Sequence, residues 1–371
     1  MQSHAAQLAD LAANGRYRQL LPRRGRDFSS NDYLALSSSE RIGRALAEAI
    51  ARGVPVGAGG SRLLGGNHDE HEKLERAAAD WAGAESALLF ANGFGANAAL
   101  LATLPQRGDL ILADELIHAS VHDGLRLARC EAQLIAHNDP DRAETRLRQW
   151  RMRGGSGRPW IAVESLYSMD GDRAPLGHFL EVAERHDAIL LIDEAHATGV
   201  FGDRGLGLAE GMDGHANVIV LRTCGKAMGC EGALVFLSTT FREFLINRAR
   251  PFIFSTAPSP LIAVAIAEAI VALVDEPWRR EQLLALVDFA SDRLGRFGVM
   301  RTGSQILPLI IGDDERTMAV AGSLQARGFD VRGIRPPTVP TGTSRLRISV
   351  TLNVDEEAIN ALADALEDAL A

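Results

Sequence analysis

At 371 residues the chain is longer than one typical domain, so two lobes are expected. Hydrophobic residues make up 46% and charged residues 23%, the profile of a soluble globular protein. A net charge of −9 and a pI near 5.6 argue against a nucleic-acid binder that works by neutralising phosphates.

The N-terminal stretch Met1–Asp10 has neither a basic start nor an unbroken apolar run, so no signal peptide is expected. A short helix is expected from Ala5 to Asn14, followed by an arginine cluster at Arg16, Arg18, Arg23, Arg24 and Arg26 that reads as a solvated segment. After a turn at Ser29–Asp32, a second helix is expected from about Arg41 to Arg52. Residues 53–67 hold six glycines in fifteen positions, the composition of a loop whose backbone closely approaches something. Helical periodicity follows from Asp69 to Gly83.

Strands and helices then alternate. Strands are expected at Ala87–Phe90, Leu110–Ala113, Ala132–Ala136, Trp160–Glu164, Ile189–Asp193, Val218–Leu221 and Ala233–Leu237. This predicts an α/β fold with a mostly parallel seven-stranded sheet covered by helices. A helical region from Pro260 to about Phe297 leads out of it. The remainder predicts a smaller α+β C-terminal domain: strand Ile306–Ile311, helix Arg316–Gly328, a stiff loop at Val331–Thr343 with three prolines, strand Arg345–Val350 and helix Asp355–Leu370. The expected division is an N-terminal segment at 1–45, a large domain at 46–273 and a small domain at 274–371. The apolar run Leu261–Val274 is too short to span a bilayer and contains Glu268. Cys130, Cys224 and Cys230 give no disulfide framework and no C-x-x-C metal pair, so reduced cytoplasm is the expected compartment.

Chemistry concentrates at the strand ends. Positive charge is carried by 37 arginines and two lysines, Lys73 and Lys226. Lys226 ends an apolar strand in a glycine-rich setting, where an amine that can lose its proton and add to a carbonyl has a use that arginine lacks. Asp193 and His196 follow another buried strand and can both face one ligand; a helix cap and a core histidine are the bland alternative. The stretch Phe90–Asn97 leaves a strand and opens a helix, a backbone site suited to a phosphate. His118 could stack on an aromatic ligand, and Ser168 reaches the same sheet edge. Arg345 and Arg347 alternate on one strand face, where one could grip a carboxylate and the bland alternative is an ion pair. An amine, a ring-nitrogen acid, a phosphate cradle, a stacking ring and a carboxylate clamp together describe a pyridoxal phosphate site. The string Asp193-Glu-Ala-His196 also spells a helicase acidic box. That rival fails because Gly225-Lys226 is followed by Ala227, and Val220 stands where a P-loop needs glycine. A nicotinamide site is disfavoured by Asn97 near the place of the third glycine.

The sequence also resembles a known family. Asp193-x-x-His196 with Thr223-x-Gly-Lys226-x-x-Gly229 is similar to fold-type I pyridoxal phosphate enzymes, and more narrowly to the α-oxoamine synthases. Further matching blocks are Phe28–Leu36, Gly59–Arg62, Asn92–Asn97, His118–Ser120, Ser168–Asp172 and Ile253–Thr256. The block Ile334-Arg-Pro-Pro-Thr-Val-Pro340 with Gly342–Arg347 looks most like members that condense L-alanine with a pimeloyl thioester, on CoA or acyl carrier protein, in biotin synthesis. Members using glycine and acetyl-CoA are the alternative. Glu194, Ala197 and Cys224 depart from the commoner Asp, Gly and Phe, Tyr or Ser. The resemblance implies that Lys226 carries the cofactor and then acts as base at the alanine Cα. It implies that Asp193 pairs with the pyridine nitrogen, His118 stacks on the ring and His196 bonds its phenolic oxygen. Gly93, Phe94, Ser168 and Thr223 would surround the cofactor. Arg347 would hold the alanine carboxylate, with Thr338 and Arg18 as further substrate-binding residues. The implied assembly is a homodimer with shared sites, Ser255 and Thr256 reaching the phosphate of the partner's cofactor.

Overall fold

The structure, a computed structural model, describes every residue except Leu21 and Arg23, and of Gln2 the backbone alone. The arginine cluster therefore has one member, Arg23, outside the described residues. The chain divides into two units: residues 34–168 with 173–280, and residues 1–33 with 169–172 and 281–371. This differs from the expected boundaries. The segment expected as 1–45 is divided at Tyr33/Leu34, and a piece of four residues, 169–172, leaves the larger unit.

In the larger unit seven strands form one sheet. They are β1 (Ser86–Phe90), β2 (Leu110–Asp114), β3 (Glu131–Ile135), β4 (Pro159–Glu164), β5 (Ile189–Asp193), β6 (Val218–Thr223) and β7 (Ala233–Leu237). Their order is β1-β7-β6-β5-β4-β2-β3. β2 to β6 run parallel; β7 runs antiparallel to both β1 and β6. The central strands β2, β4 and β5 are buried at every position, as strands covered on both faces must be. Leu88, Ile111, Ala162, Leu191, Ile219 and Val235 share one core with residues of two helices, α1 (Gly93–Thr103) and α2 (Ala119–Leu127).

The glycine-rich stretch closes on itself. Backbone N–H groups of Leu64 and Gly66 both donate to Ser61 O at 2.9 Å, and Ala257 N–H donates to Gly60 O at 2.9 Å. Arg62 leaves this loop to bond Glu75 at 2.8 Å, and Arg242 reaches the other Glu75 oxygen at 3.0 Å. A buried carboxylate shared by two arginines pins the loop to helix Asp69–Ala82. A second buried pair lies under the sheet. Arg222 on β6 forks onto Asp213 at 2.5 and 2.9 Å, donates from Nε to Leu206 O, and lies 4.7 Å from the Phe236 ring centre.

The helical region expected from Pro260 to Phe297 is two helices, Pro260–Asp275 and Trp278–Leu294. Pro277 between them lacks the N–H that would continue the first. Glu268 on the first does not face lipid; it pairs with Arg41 at 2.5 Å. No helix among the described residues is long and apolar enough to cross a membrane.

In the smaller unit β8 (Ile306–Gly312), β9 (Arg332–Ile334) and β10 (Ser344–Ser349) form an antiparallel sheet in the order β9-β10-β8. β9 lies inside the stretch expected to be a loop; three residues are too few for alternation to reveal. The N-terminal segment belongs here. Arg26–Asp27 pairs parallel with Phe329–Asp330, and Ser349 N–H donates to Phe28 O at 2.9 Å.

Candidate active site

A cavity of about 150 Å³ opens at the carboxyl ends of the parallel strands, where an open α/β sheet places its ligands. It gathers residues from five segments far apart in sequence. Gly93 and Phe94 begin α1, with Asn92 capping it by accepting from Gly95 N–H at 2.7 Å. His118 caps α2: its Nδ1 accepts from Ser120 N–H at 3.2 Å. Glu164 ends β4, Asp193 ends β5 with His196 one turn on, and Thr223 ends β6 with Lys226 in the next turn. Strand pairing builds this edge, because Glu164, Asp193 and Leu221 occupy matching positions on three adjacent strands.

Lys226 Nζ lies 2.7 Å from His196 Nε2. One of the two nitrogens must present a lone pair for that contact to be a hydrogen bond, so a proton can pass between them. Asp193 accepts from the Asn97 side chain at 2.7 Å and from Ala195 N–H at 2.9 Å. Asn97 also donates to Ser120 Oγ at 3.0 Å, which ties the acid to the turn that carries His118. His118 is exposed at the cavity wall, yet the protein around that wall counts for its chemistry. Desolvation holds its imidazole below the ordinary histidine value, outweighing the attraction of Asp193, and Lys226 adds to the depression. The ring of Phe94 meets it edge-on, centres 6.3 Å apart.

Beneath this edge, Glu194 is fully buried and accepts from Leu208 and Ala209 N–H at 3.0 and 2.8 Å. It braces the connection from β5 to β6. Gly207 in that connection has φ +94, and a Cβ there would sit 1.5 Å from the Glu194 carboxyl. Burial pushes the Glu194 carboxyl up to about 7 against the opposing pull of Arg222 and its hydrogen-bond donors. A raised value means that folding favours the protonated acid. The stability this contributes is full below the ordinary 4.5 and is lost as pH rises through about 7. Unfolding free energies from urea titrations taken between about pH 5 and pH 7 will fall more steeply for the wild type than for Glu194→Gln, by up to roughly 1.4 kcal/mol per pH unit. Equal slopes would contradict this assignment.

The other expected residues lie elsewhere. Ser168 is half-buried and does not line this cavity. Ser255 and Thr256 are exposed and line a small separate cavity with Arg62 and Phe252. In the smaller unit, Arg18 and Thr338 meet at 3.4 Å on the wall of a groove of about 640 Å³. Arg347 is buried and bonds Ser349 at 2.6 Å, Asn31 at 3.1 Å and the Tyr33 hydroxyl at 3.3 Å. Arg345 on the same strand face is engaged by Asp170, the ion pair weighed above as its bland alternative. From the sequence Asn97 stands out as a break in a glycine pattern, not as a partner of Asp193. The signal available was its place four residues after Gly93, on the same helix face.

The family model for aminotransferase class I and II matches residues 25–366. A putative 8-amino-7-oxononanoate synthase of Geobacillus kaustophilus is 41% identical over 344 residues, covering 92% of this chain and 87% of its own. The 8-amino-7-oxononanoate synthase of Anaeromyxobacter dehalogenans is 42% identical over 341 residues, covering 91% and 84%. Among solved structures, serine palmitoyltransferase of S. paucimobilis with a bound PLP–myriocin aldimine superposes with a TM-score of 0.89 at 26% identity, over 99% of this chain and 96% of its own. The 8-amino-7-oxononanoate synthase of Francisella tularensis gives 0.77 at 25% identity, over 93% and 98%. The chain belongs to the aminotransferase class I and II family, in the group of the 8-amino-7-oxononanoate synthases.

The residues present fit pyridoxal phosphate. The cavity offers an amine for an aldehyde, an acid for a ring nitrogen and a helix N-terminus for a phosphate. Two buried oxygens on its wall, Asn97 Oδ1 and Glu164 Oε1, are without partners among the described residues.

Proposed function

We propose that this protein is a pyridoxal-phosphate-dependent acyltransferase that condenses L-alanine with a pimeloyl thioester. The products are 8-amino-7-oxononanoate, CO2 and the free thiol of CoA or acyl carrier protein, as a step of biotin synthesis. The observation that carries the reading is the Lys226 amine 2.7 Å from His196 in a cavity that also holds Asp193.

Bound in this cavity, pyridoxal phosphate supplies an aldehyde that takes up the amino group and a ring that accepts the electrons of the Cα–H bond. Asp193 holds a proton at the ring nitrogen, itself oriented by Asn97 and Ala195 N–H. Lys226 Nζ receives the Cα proton and later returns it, with His196 Nε2 as its hydrogen-bond partner. His118, whose imidazole burial holds below the ordinary histidine value, presents a flat ring face to the cavity. The start of α1 at Gly93, with Thr223 on the same cavity wall, would hold the phosphate through backbone N–H groups. Arg347 is assigned to the alanine carboxylate, and Arg18 and Thr338 to the acyl substrate. A homodimer in which Ser255 and Thr256 serve the partner's cofactor fits the exposure of both residues, and a cytoplasmic location fits three free thiols.

An acyl-donor panel tests the substrate. With L-alanine and pimeloyl-CoA the protein will release CO2 and thiol; with acetyl-, succinyl- or palmitoyl-CoA turnover will be lower by at least about tenfold, since even one methylene more or less is worth roughly 1–3 kcal/mol in a hydrophobic pocket. Turnover restricted to glycine and acetyl-CoA, or to L-serine and palmitoyl-CoA, would move the protein to another branch of the group.

A further inference from the structure

Glu164 has no part in the reaction as described. It ends β4, is 2% exposed, and lines the same cavity as Lys226. Parallel pairing sets it directly beside Asp193 on β5, so two carboxyls end adjacent strands in one buried site. They are satisfied unequally. Asp193 has two donors for its charge, from Asn97 and from Ala195 N–H. Glu164 Oε1 is buried and accepts from nothing among the described residues. An ionised oxygen left so would lose its hydration without return, whereas a protonated one becomes a donor. When two carboxyls share a site, the one better supplied with donors keeps the charge and the other keeps a proton.

The groups that face Glu164 agree with this. They are Asp193 on β5, Asp114 at the end of β2, the turn at His118, the Tyr167 phenol and Lys226 beyond β6. Burial pushes the Glu164 carboxyl well above the usual carboxylate range and Asp193 adds to this, against smaller opposing effects of Lys226 and His118 N–H.

We propose that Glu164 is a further cofactor-contacting residue: a neutral carboxylic acid that donates its proton as a hydrogen bond into the cavity, leaving Asp193 as the charged member of the pair. Its contact with the cofactor rests on the pyridoxal phosphate reading; its protonation does not.

Two measurements separate these. In the cofactor-free protein at neutral pH, the infrared difference between wild type and Glu164→Gln will show a carboxylic-acid C=O band that shifts in heavy water. Carboxylate bands alone would overturn the proposal. Equilibrium dialysis with pyridoxal phosphate then compares wild type, Glu164→Gln and Glu164→Ala. The amide is neutral and can donate, so its dissociation constant will stay within about threefold of wild type. Alanine cannot donate and will weaken binding by about tenfold, the size of one lost hydrogen bond. An alanine variant that binds as wild type, or a glutamine variant as weak as alanine, would overturn the contact. Wild-type protein that takes up no pyridoxal phosphate would sink the functional reading itself, while the infrared bands still decide the protonation.

Discussion

Lys226→Ala will retain no visible absorbance band after dialysis against cofactor-free buffer, and its turnover of L-alanine with pimeloyl-CoA will fall at least about 10³-fold. Two losses combine in this variant. The amine proposed to hold the aldehyde disappears, and with it the base proposed for the substrate Cα. His196 remains, but its Nε2 lies 2.7 Å from the place Nζ occupied. Lys73→Ala is the control: the other lysine is 59% exposed on a helix and pairs with Glu70 at 2.8 Å. A Lys226→Ala protein that keeps a dialysis-resistant band, or a Lys73→Ala protein that loses it, would place the reactive amine elsewhere.

Asp213→Ala should cost roughly 3–5 kcal/mol of stability, the usual result of leaving one charge of a fully buried pair alone. Arg222 and Asp213 are both 0% exposed at their side chains. The arginine lies against the rings of Phe236 and Trp81, 4.7 and 5.8 Å from its guanidinium carbon, with its side chain fully buried. Such a loss is a large share of the 5–15 kcal/mol that holds a typical protein folded. Urea unfolding measures it. The double variant Asp213→Leu, Arg222→Met removes both charges and should recover much of the loss. A single-variant loss below about 1 kcal/mol would mean that water reaches the site.

The seven strands of the large sheet were legible because burial on both faces leaves runs of Ile, Val, Leu and Ala bounded by turns. Their directions were not. β7 reads like its parallel neighbours, yet it is antiparallel, and nothing in an apolar run records which way it points. The residues that line the cavity were legible for the opposite reason. Lys226, Asp193, His196 and His118 are residue types that do not belong at the ends of apolar strands unless something there needs them. Asn97 and Glu164 escaped because their part in the site depends on helix phase and strand register. An asparagine inside a helix start and a glutamate ending a strand are unremarkable until Asp193 is placed beside each. The union of residues 1–33 with the C-terminal part was hidden for want of length: two-residue strands carry no period.

That union has a consequence for how the protein is made. The smaller unit needs the first 33 residues and the last 91, and its closing bonds, Ser349 N–H to Phe28 O and Leu352 N–H to Tyr33 O, join segments from opposite ends of the chain. The larger unit is complete once residue 280 has been synthesised. At roughly 5–20 residues per second on the ribosome, the N-terminal segment waits on the order of 20–70 s for its partners. An N-terminal fusion or truncation would therefore register at the far end of the chain, in the packing of β10.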